Sequence, residues 1–356
     1  MNSIEYLNKG YWMEKRHPYA CGIELTPNCN MRCIHCYLQD SRSINYLSTE
    51  QIIRILDILY ESQLLFVYFT GGEILTRPDF LEIYLYAKKK GFIVELLSNA
   101  TLIDDKTVEV FDKYPPALVS ISIYGASEKT YYSVTNTNGN YIKAIEGIQR
   151  LASANINFEI KFIALKENIQ DFYEVKAIAE KYKVEFKESF ELFSTLQRSN
   201  LPLRHMLSPE EIVSFEKEYS VTVSRWASQC RASIPLKNPP LFFCDIARSS
   251  FIIDCEGYME PCNKLRLRKY NILEIPFSDI WKIFSQYKSI PAPASYRCPS
   301  CVYRVVCMPC PAENRLVSGN FTEPPEHTCK LAELRFKEFS KGQYAPYREN
   351  YFRKEG

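Results

Sequence analysis

The sequence is poor in glycine and contains no long hydrophobic run. Only 12 of its 356 residues are glycine, about half of the roughly 7% found in average proteins. No apolar stretch approaches the roughly 18 residues that span a membrane. Residues 1–19 are polar and aromatic and lack the apolar core of a signal peptide. The lack of a membrane-spanning segment and of a signal peptide predicts a cytoplasmic protein without a membrane partner.

The charges are nearly balanced. Lysine and arginine total 44 against 42 aspartate and glutamate, which leaves a net charge of +2. A balance this close to zero favours neither nucleic acid nor an anionic membrane surface as a partner. Hydrophobic residues at 46% and charged residues at 24% are typical of a folded globular protein and exclude a disordered chain.

Cysteine is abundant, with 13 residues. The number is odd, so the cysteines cannot all pair within the chain. Without an export signal, clustered cysteines indicate metal ligands rather than a disulfide framework. One group comprises Cys29, Cys33 and Cys36, and a second group of eight lies between 244 and 329, with Cys230 just upstream. Two separate groups predict two domains with different chemistry.

Short apolar segments alternate with helical patterns from about residue 19 to residue 191. Strands separated by helices predict βαβ units and a parallel sheet. Six such units predict an α/β fold in the form of a partial (β/α)6 TIM-type barrel, with its chemistry at the C-terminal ends of the strands. The predicted strands are Cys21–Leu25, Leu65–Thr70, Ile93–Ser98, Leu118–Tyr124, Phe158–Leu165 and Val184–Lys187, and helices are predicted to begin near Ser48, Pro78, Asp104, Tyr141, Ile169 and Ser208.

The amino-acid composition changes after about Val221, where prolines and cysteines become frequent. This change predicts a small cysteine-rich domain, stabilised by bound metal, after the barrel. The expected divisions are an N-terminal segment at 1–18, the barrel at 19–220, the cysteine-rich domain at 221–335 and a tail at 336–356. Cys21, on the first predicted strand, is expected to be a buried small hydrophobe.

Three cysteines follow the first predicted strand in the pattern C-x3-C-x2-C. Three thiolates on one loop suit a soft-metal centre that keeps one position open for a substrate or cofactor. A zinc knuckle completed by His35 is the alternative on spacing alone. With Tyr37 directly after the last cysteine, the motif resembles that of the radical S-adenosylmethionine (SAM) superfamily.

The resemblance implies a [4Fe–4S] cluster on Cys29, Cys33 and Cys36, with SAM bound to the fourth iron. One electron would split SAM to a 5′-deoxyadenosyl radical, which abstracts hydrogen from a substrate. Other matches to the family imply SAM contacts, each with an ordinary turn as its alternative. These contacts are Tyr37, the Gly71-Gly72-Glu73 motif that would hold the amino group, Ser98, Asn99 and Ser122.

The second cysteine group has the order C-x10-C-x-G-x4-C, then C-x2-C-x5-C-x2-C, then a last cysteine. Soft thiolate ligands at these spacings suit iron–sulfur clusters or a zinc ribbon. The order resembles the SPASM extension of radical SAM enzymes, which usually carries two auxiliary [4Fe–4S] clusters. The match departs from the family in the segment C-x2-C-x5-C-x2-C, whose last spacing is x2 instead of x3. This departure leaves the geometry around Cys310 open.

The resemblance distributes the second group between two clusters, which makes three [4Fe–4S] clusters in all. The first auxiliary cluster would use Cys244, Cys262 and Cys310. Its fourth ligand is Cys230 or Cys255, of which Cys230 is favoured. The second auxiliary cluster would use Cys298, Cys301, Cys307 and Cys329.

SPASM relatives mostly modify peptides or proteins, so the resemblance implies an enzyme that modifies a ribosomally synthesised peptide. A sulfatase-type protein maturase is one alternative, and a non-enzymatic iron–sulfur or zinc protein is another. The expected partners are a precursor peptide and an electron donor such as flavodoxin or ferredoxin. Because only 28 residues precede Cys29, a separate small protein is expected to bind the leader peptide. Its expected docking surfaces are Tyr6, Tyr11, Trp12, Tyr19, Tyr344, Tyr347, Tyr351 and Phe352.

Overall fold

The computed structural model describes residues 17–39, 46–230, 238–244 and 246–344. Most of the expected aromatic docking surfaces lie outside these residues or have side chains outside the description. Tyr19 is the exception, and it is buried directly before the first strand, where its ring packs edge-on against Phe66 at 5.8 Å between centroids. Its ring therefore contributes to packing rather than to an open surface.

The centre of the fold is one eight-stranded sheet in the order β6-β5-β4-β3-β2-β1-β7-β8. All neighbouring strands are parallel except β7 and β8, which form an antiparallel pair. The six strands predicted from the sequence are all present, with ends shifted by up to two residues. The strands are β1 Ala20–Thr26, β2 Phe66–Gly71, β3 Ile93–Ser98, β4 Leu118–Ser122, β5 Phe158–Ile163, β6 Phe186–Ser189, β7 Ser250–Ile253 and β8 Met259–Glu260.

Helices connect the parallel strands, and side-chain caps begin several of them. Ser48 and Ser208 form complete capping boxes with Gln51 and Glu211, as their spacing predicts. The helices are α1 Thr49–Glu61, α2 Phe80–Lys90, α3 Asp105–Lys113, α4 Glu128–Thr135, α5 Asn140–Ser153, α6 Phe172–Tyr182, α7 Pro209–Glu218, α8 Ser220–Gln229, α9 Phe277–Phe284, α10 Pro311–Ser318 and α11 Glu326–Phe339. Helices α4, α8, α9 and α10 were not predicted from the sequence.

The chain forms a partial TIM-type barrel and a cysteine-rich C-terminal region, as expected. The core of the barrel is apolar: Ile23 on β1, Phe69 on β2 and Ile160 on β5 are fully buried. β1 lies between β2 and β7, so almost all of its residues are buried. A near-continuous apolar strand is what a doubly covered parallel strand requires.

The chain divides into two compact units, and the boundaries differ from the predicted one at 220. The first unit contains the described residues of 1–205 and 245–287, and the second contains those of 206–244 and 288–356. The difference arises because β7 pairs with β1 in parallel, from Ala20 opposite Ser250 to Ile23 opposite Ile253. A pairing between residues so distant in sequence leaves no local signal.

The second unit has its own small core. Trp226 and Ala227 of α8 pack with Val306 and with Ala332 and Phe339 of α11. A buried ion pair supports this core, since the guanidinium of Arg335 donates to both carboxylate oxygens of Glu216 at 2.6–3.2 Å. Within the described residues, no helix combines the length and hydrophobicity needed to cross a membrane.

Candidate functional site

A loop at residues 27–39 follows β1 at the C-terminal edge of the sheet and carries Cys29, Cys33 and Cys36. Its backbone is tied to the end of α4: the N–H groups of Arg32 and Ile34 donate to the carbonyls of Thr135 and Val134, each at 2.9 Å. We call residues 27–39 the cysteine loop. Its attachment to a helix end explains why α4, which the sequence analysis missed, matters for the site.

The glycine pair Gly71-Gly72 contacts the start of the cysteine loop. The Gly72 N–H donates to the Thr26 carbonyl, and the Glu73 N–H donates to the Asn28 carbonyl, both at 2.8 Å. A β-carbon on Gly71 would lie 2.3 Å from the Thr26 oxygen, and Gly71 also has φ +130°. Glycine is therefore required here by the close approach of two backbones.

The Glu73 carboxylate is fully buried and engaged within the protein. It accepts hydrogen bonds from the Leu75 N–H at 3.2 Å, the Ser98 hydroxyl at 2.9 Å and the Asn99 N–H at 2.7 Å. Burial raises the pKa of the carboxyl, and these donors oppose the rise. From the sequence, this motif is expected to hold an amino group. In the structure the Glu73 side chain links the ends of β2 and β3.

Asn99 connects the end of β3 to the cysteine loop. Its amide nitrogen donates to the Asn30 side-chain oxygen at 2.9 Å, and its amide oxygen accepts from the backbone and hydroxyl of Thr101. The Asn30 amide in turn donates to the Thr101 hydroxyl at 2.7 Å. Ser98 and Asn99 thus hold the loop in place, a role that sequence reasoning did not distinguish from ligand contact.

The two remaining expected contacts lie at the same edge of the sheet. Ser122 is the last residue of β4. Tyr37 accepts a hydrogen bond at its carbonyl from the Leu196 N–H, and its ring lies 5.3 Å from that of Phe193. The structure therefore brings all the predicted site residues of the barrel to one end of the sheet.

The surroundings of the first cysteine group fit a bound cluster. Tyr131 is fully buried, interacts electrostatically with Cys33, Glu73 and Cys29, and its hydroxyl has no hydrogen-bond partner in the described part of the chain. Burial lowers the pKa of His35 to about 4, so this ring is neutral at pH 7. The buried Tyr131 hydroxyl can donate a hydrogen bond to an acceptor atom of a bound group. The three cysteines beside it are soft metal ligands, so the bound group can be an iron–sulfur cluster.

Four cysteines of the second unit form a second group. Cys307 interacts electrostatically with Cys298, Cys329 and Cys301, and each of the others interacts with members of the same four. Burial, reinforced by this mutual repulsion, raises the pKa of Cys307 to about 12. Four cysteines grouped in this way offer the soft sulfur ligands that an iron–sulfur cluster requires.

Two further observations concern the metal chemistry. No disulfide joins any of the 13 cysteines, all of which are described. Among the described residues, no three His, Cys, Asp or Glu side chains converge closely enough to hold a single metal ion. A four-iron cluster spreads its ligands more widely than one ion does, because each thiolate binds a different iron.

The cysteines expected to bind the first auxiliary cluster belong to different units. Cys310 precedes α10 and interacts with Tyr296 beside the second group. Cys230 ends α8 and packs against the core of the second unit. Cys244 also belongs to the second unit, whereas Cys262 and Cys255 belong to the first. Cys255 is buried in the β7–β8 turn, where its carbonyl accepts from the Leu47 N–H at 2.9 Å.

A buried ion pair beside the cysteine loop was missed in the sequence. Arg266 donates to both carboxylate oxygens of Glu24 on β1, at 2.6 and 3.2 Å, and both side chains are less than a tenth exposed. The available signal was Glu24 itself, since a charge within an apolar strand requires a buried partner. Its partner lies 242 positions away, which sequence spacing does not reveal.

This ion pair lines a partly enclosed cavity of about 220 Å³ at the C-terminal ends of β1 and β7. The cavity also borders Leu38 of the cysteine loop and Cys255. Burial raises the pKa of the Cys255 thiol to about 12, so it is protonated at pH 7. The C-terminal ends of parallel strands are where ligands bind in such sheets.

Residues 23–178 match the profile of the Radical SAM superfamily. The match contains the cysteine loop, the glycine pair and the ends of β1 to β5. Residues 23–178 therefore form a radical SAM domain. The protein is therefore an enzyme that uses SAM and a four-iron cluster. Cys29, Cys33 and Cys36 form the only C-x3-C-x2-C motif in its sequence.

Curated relatives of this radical SAM protein differ in their activities. The AdoMet-dependent heme synthase of Methanosarcina barkeri is 25% identical over 341 residues, which cover 86% of this chain and 95% of that protein. The antilisterial bacteriocin subtilosin biosynthesis protein AlbA of Bacillus subtilis is 29% identical over 160 residues, 44% of this chain and 36% of that protein.

The fold is also similar to that of a solved structure. Streptococcus suis SuiB bound to precursor peptide SuiA superimposes with a TM-score of 0.67 at 15% identity, covering 92% of this chain and 81% of SuiB. At this identity the similarity establishes the fold and leaves the substrate open.

Proposed function

We propose that this radical SAM enzyme modifies a ribosomally synthesised peptide. The cavity beside the cysteine loop carries the proposal. Its volume of about 220 Å³ is smaller than the roughly 300–1,000 Å³ of sites for drug-sized ligands. A space of this size suits one or two side chains of an extended peptide better than a macrocycle. SuiB with its precursor peptide and the bacteriocin protein AlbA support the same substrate class.

Each part of the site has a distinct role in this proposal. Cys29, Cys33 and Cys36 would hold the cluster, which together with SAM supplies the hydrogen-abstracting radical. The backbone of Gly71 and Gly72 would face the amino end of SAM. Glu73, Ser98 and Asn99 position the cysteine loop through the hydrogen bonds described above. Preorganised contacts of this kind fix reacting groups without further reorganisation.

The cysteine-rich C-terminal region would carry auxiliary clusters of the SPASM type. Cys298, Cys301, Cys307 and Cys329 would bind one, and Cys230, Cys244, Cys262 and Cys310 would bind the other. A separate small protein would deliver the leader peptide, and an electron donor of the flavodoxin or ferredoxin class would reduce the SAM-binding cluster.

A porphyrin substrate is the second candidate. The observation in its favour is the heme synthase of Methanosarcina barkeri, which matches 86% of this chain, whereas AlbA matches 44%. The buried Arg266 guanidinium also offers a cation near the site, although Glu24 already neutralises it. Opening of the cavity would be necessary before a macrocycle could enter.

Reaction of the reconstituted, reduced protein with SAM and each substrate class tests the proposal. The protein should form 5′-deoxyadenosine, and mass spectrometry should show an altered mass in a co-expressed peptide from a neighbouring gene. The matched control is the same co-expression with Cys29, Cys33 and Cys36 all changed to alanine.

The two candidates predict different outcomes. Turnover of an iron porphyrin, with the peptides from neighbouring genes unchanged in mass, would replace the peptide with a porphyrin as the substrate. Cleavage of SAM without change in either substrate would leave the radical chemistry intact and remove both substrate classes.

A further inference from the structure

A groove of about 580 Å³ lies on the outer side of the cysteine loop. It is lined by Arg32, Ile34, Gln39, Asn136, Leu201, Arg204 and His205, and we call it the Arg204 groove. All of these residues belong to the first unit. The groove is separate from the partly enclosed cavity, with which it shares no lining residue.

The cysteine loop itself forms one wall of the Arg204 groove. Arg32 and Ile34 are the immediate neighbours of Cys33. The Gln39 side chain donates to the carbonyls of Cys33 and Ile34, at 3.0 and 2.9 Å. Only the loop therefore separates a partner in the groove from the first cysteine group. Electron transfer weakens steeply with distance, so this thin cover makes the groove a favourable point of entry for an electron.

The groove combines an apolar centre with a basic margin. Leu201 is 49% exposed, and Ile34 lies in the same groove. Arg32 and Arg204 are exposed at the margin, and the Lys166 ammonium donates to the Arg204 carbonyl at 3.0 Å. An apolar centre within a polar, charged rim is the composition of protein-binding surfaces.

The charges around the groove are unequal. None of the residues that line the groove is acidic, and the carboxylate of Glu167 beside it pairs with the His205 ring at 2.6 Å. Arg32, Arg204 and Lys166 therefore leave an excess of positive charge on a chain whose net charge is only +2. Such a local excess attracts a partner with a negative surface and speeds its association.

We propose that the Arg204 groove docks an acidic protein that carries single electrons and reduces the cluster bound by Cys29, Cys33 and Cys36. One electron leaves the carrier and enters the cluster, and no bond is made or broken. The inference rests on the radical SAM chemistry of the cysteine loop and is independent of the substrate proposed above. A precursor peptide is the other possible occupant of the groove, and the experiment separates the two.

The test compares two reductants on the reconstituted holoenzyme. Reduced flavodoxin serves as the acidic carrier, and dithionite serves as a small reductant that needs no docking surface. With flavodoxin at low salt, Arg204→Glu and Leu201→Glu should each slow formation of 5′-deoxyadenosine by about tenfold, a typical effect of losing electrostatic steering. With dithionite, both variants should match the wild type, which also shows that they fold and bind SAM.

Direct binding provides the second measurement. Titration calorimetry with flavodoxin should show weaker binding to Arg204→Glu, and high salt should reduce the difference because it screens the charges. The matched control is Arg54→Glu on an exposed position of α1, which should behave as the wild type does.

Three results would overturn the proposal. The first is an equal loss of activity with both reductants in the Arg204 and Leu201 variants. The second is unchanged flavodoxin binding in these variants. The third is a raised KM for the precursor peptide with dithionite as reductant, which would assign the groove to the substrate. Loss of peptide modification with normal SAM cleavage bears on the proposed function alone.

Discussion

A β-carbon on Gly72 would lie 2.0 Å from the carbonyl oxygen of Asn28, one residue before the first cysteine of the loop. Real β-carbons do not approach a backbone oxygen this closely. The glycine pair that suggested a ligand contact in the sequence is therefore also a packing requirement of the cysteine loop. Position 72 controls where Cys29 lies, even though its residue carries no functional group.

Gly72→Ala should displace the cysteine loop and weaken cluster binding there. We expect the reconstituted variant to lose about four of about twelve irons per chain, which is one four-iron cluster, together with most SAM cleavage. Iron analysis and 5′-deoxyadenosine formation measure the two effects. Gly342→Ala is the control, because no atom lies within 4 Å of a β-carbon there. Full iron content in Gly72→Ala would contradict the steric argument.

Alanine at Cys29, Cys33 and Cys36 together should abolish SAM cleavage and leave the auxiliary clusters in place. The variant should retain about eight irons per chain, because the other ligands lie elsewhere in the sequence. Iron analysis and the absorbance of the reconstituted protein check this. Formation of 5′-deoxyadenosine by the variant would show that the SAM-binding cluster is held by other residues.

Cys298→Ala should lower the yield of soluble protein more than Cys21→Ala. Cys298 interacts with Cys329 and Cys301, and loss of a cluster ligand removes binding energy that stabilises only the folded chain. Cys21 is fully buried on β1, so its replacement removes only a small apolar side chain. Equal soluble yields of the two variants would count against a cluster ligand at 298.

Arg266→Met should destabilise the first unit by about 3–5 kcal/mol, since it leaves the Glu24 carboxylate buried without a cation. Arg268→Met is the matched control. Its pair with Glu256 is partly exposed, and pairs of that kind contribute about 0–1 kcal/mol. Denaturant unfolding under anaerobic conditions compares the two, and adding Glu24→Leu to Arg266→Met should recover part of the loss. Similar midpoints for both single variants would refute the difference.

Glu260 should make stability fall between about pH 4.5 and 7. Burial raises the pKa of its carboxyl from 4.5 to about 7, so in this range the folded state holds a proton that the unfolded state has lost. Stability from this group is complete below pH 4.5 and is lost as the pH rises through 7. Relative to the wild type, Glu260→Gln should gain up to about 3 kcal/mol across this interval. Denaturant unfolding at several pH values measures the gain, and a constant difference would show that Glu260 does not titrate there.

The sequence was informative where the signal is local. Hydrophobic patterns located all six barrel strands, and the serine caps of α1 and α7 occur as predicted. Helix α4 was missed because Glu128–Thr135 has a short pattern ending at Asn136, which adopts a left-handed conformation. The β7–β8 hairpin was assigned to the wrong part of the chain, because its pairing with β1 depends on contacts that no nearby residues encode.

The candidate site was also predicted in part. Every barrel residue singled out from the sequence lies at the C-terminal edge of the sheet. The sequence did not separate side chains that face a ligand from those that hold the loop. Glu73, Ser98 and Asn99 look like binding residues by type, and their hydrogen bonds to one another appear only once β2 and β3 are adjacent.

The pairing of Ala20 with Ser250 has a consequence for the order in which the protein is made. At roughly 5–20 residues per second on the ribosome, β7 emerges about 10–50 s after β1. Until then one side of β1 has no neighbour, and an unpaired strand edge invites association with other chains. The barrel therefore remains incomplete until most of the chain has been synthesised, and a chaperone present during that interval should raise the yield of soluble protein.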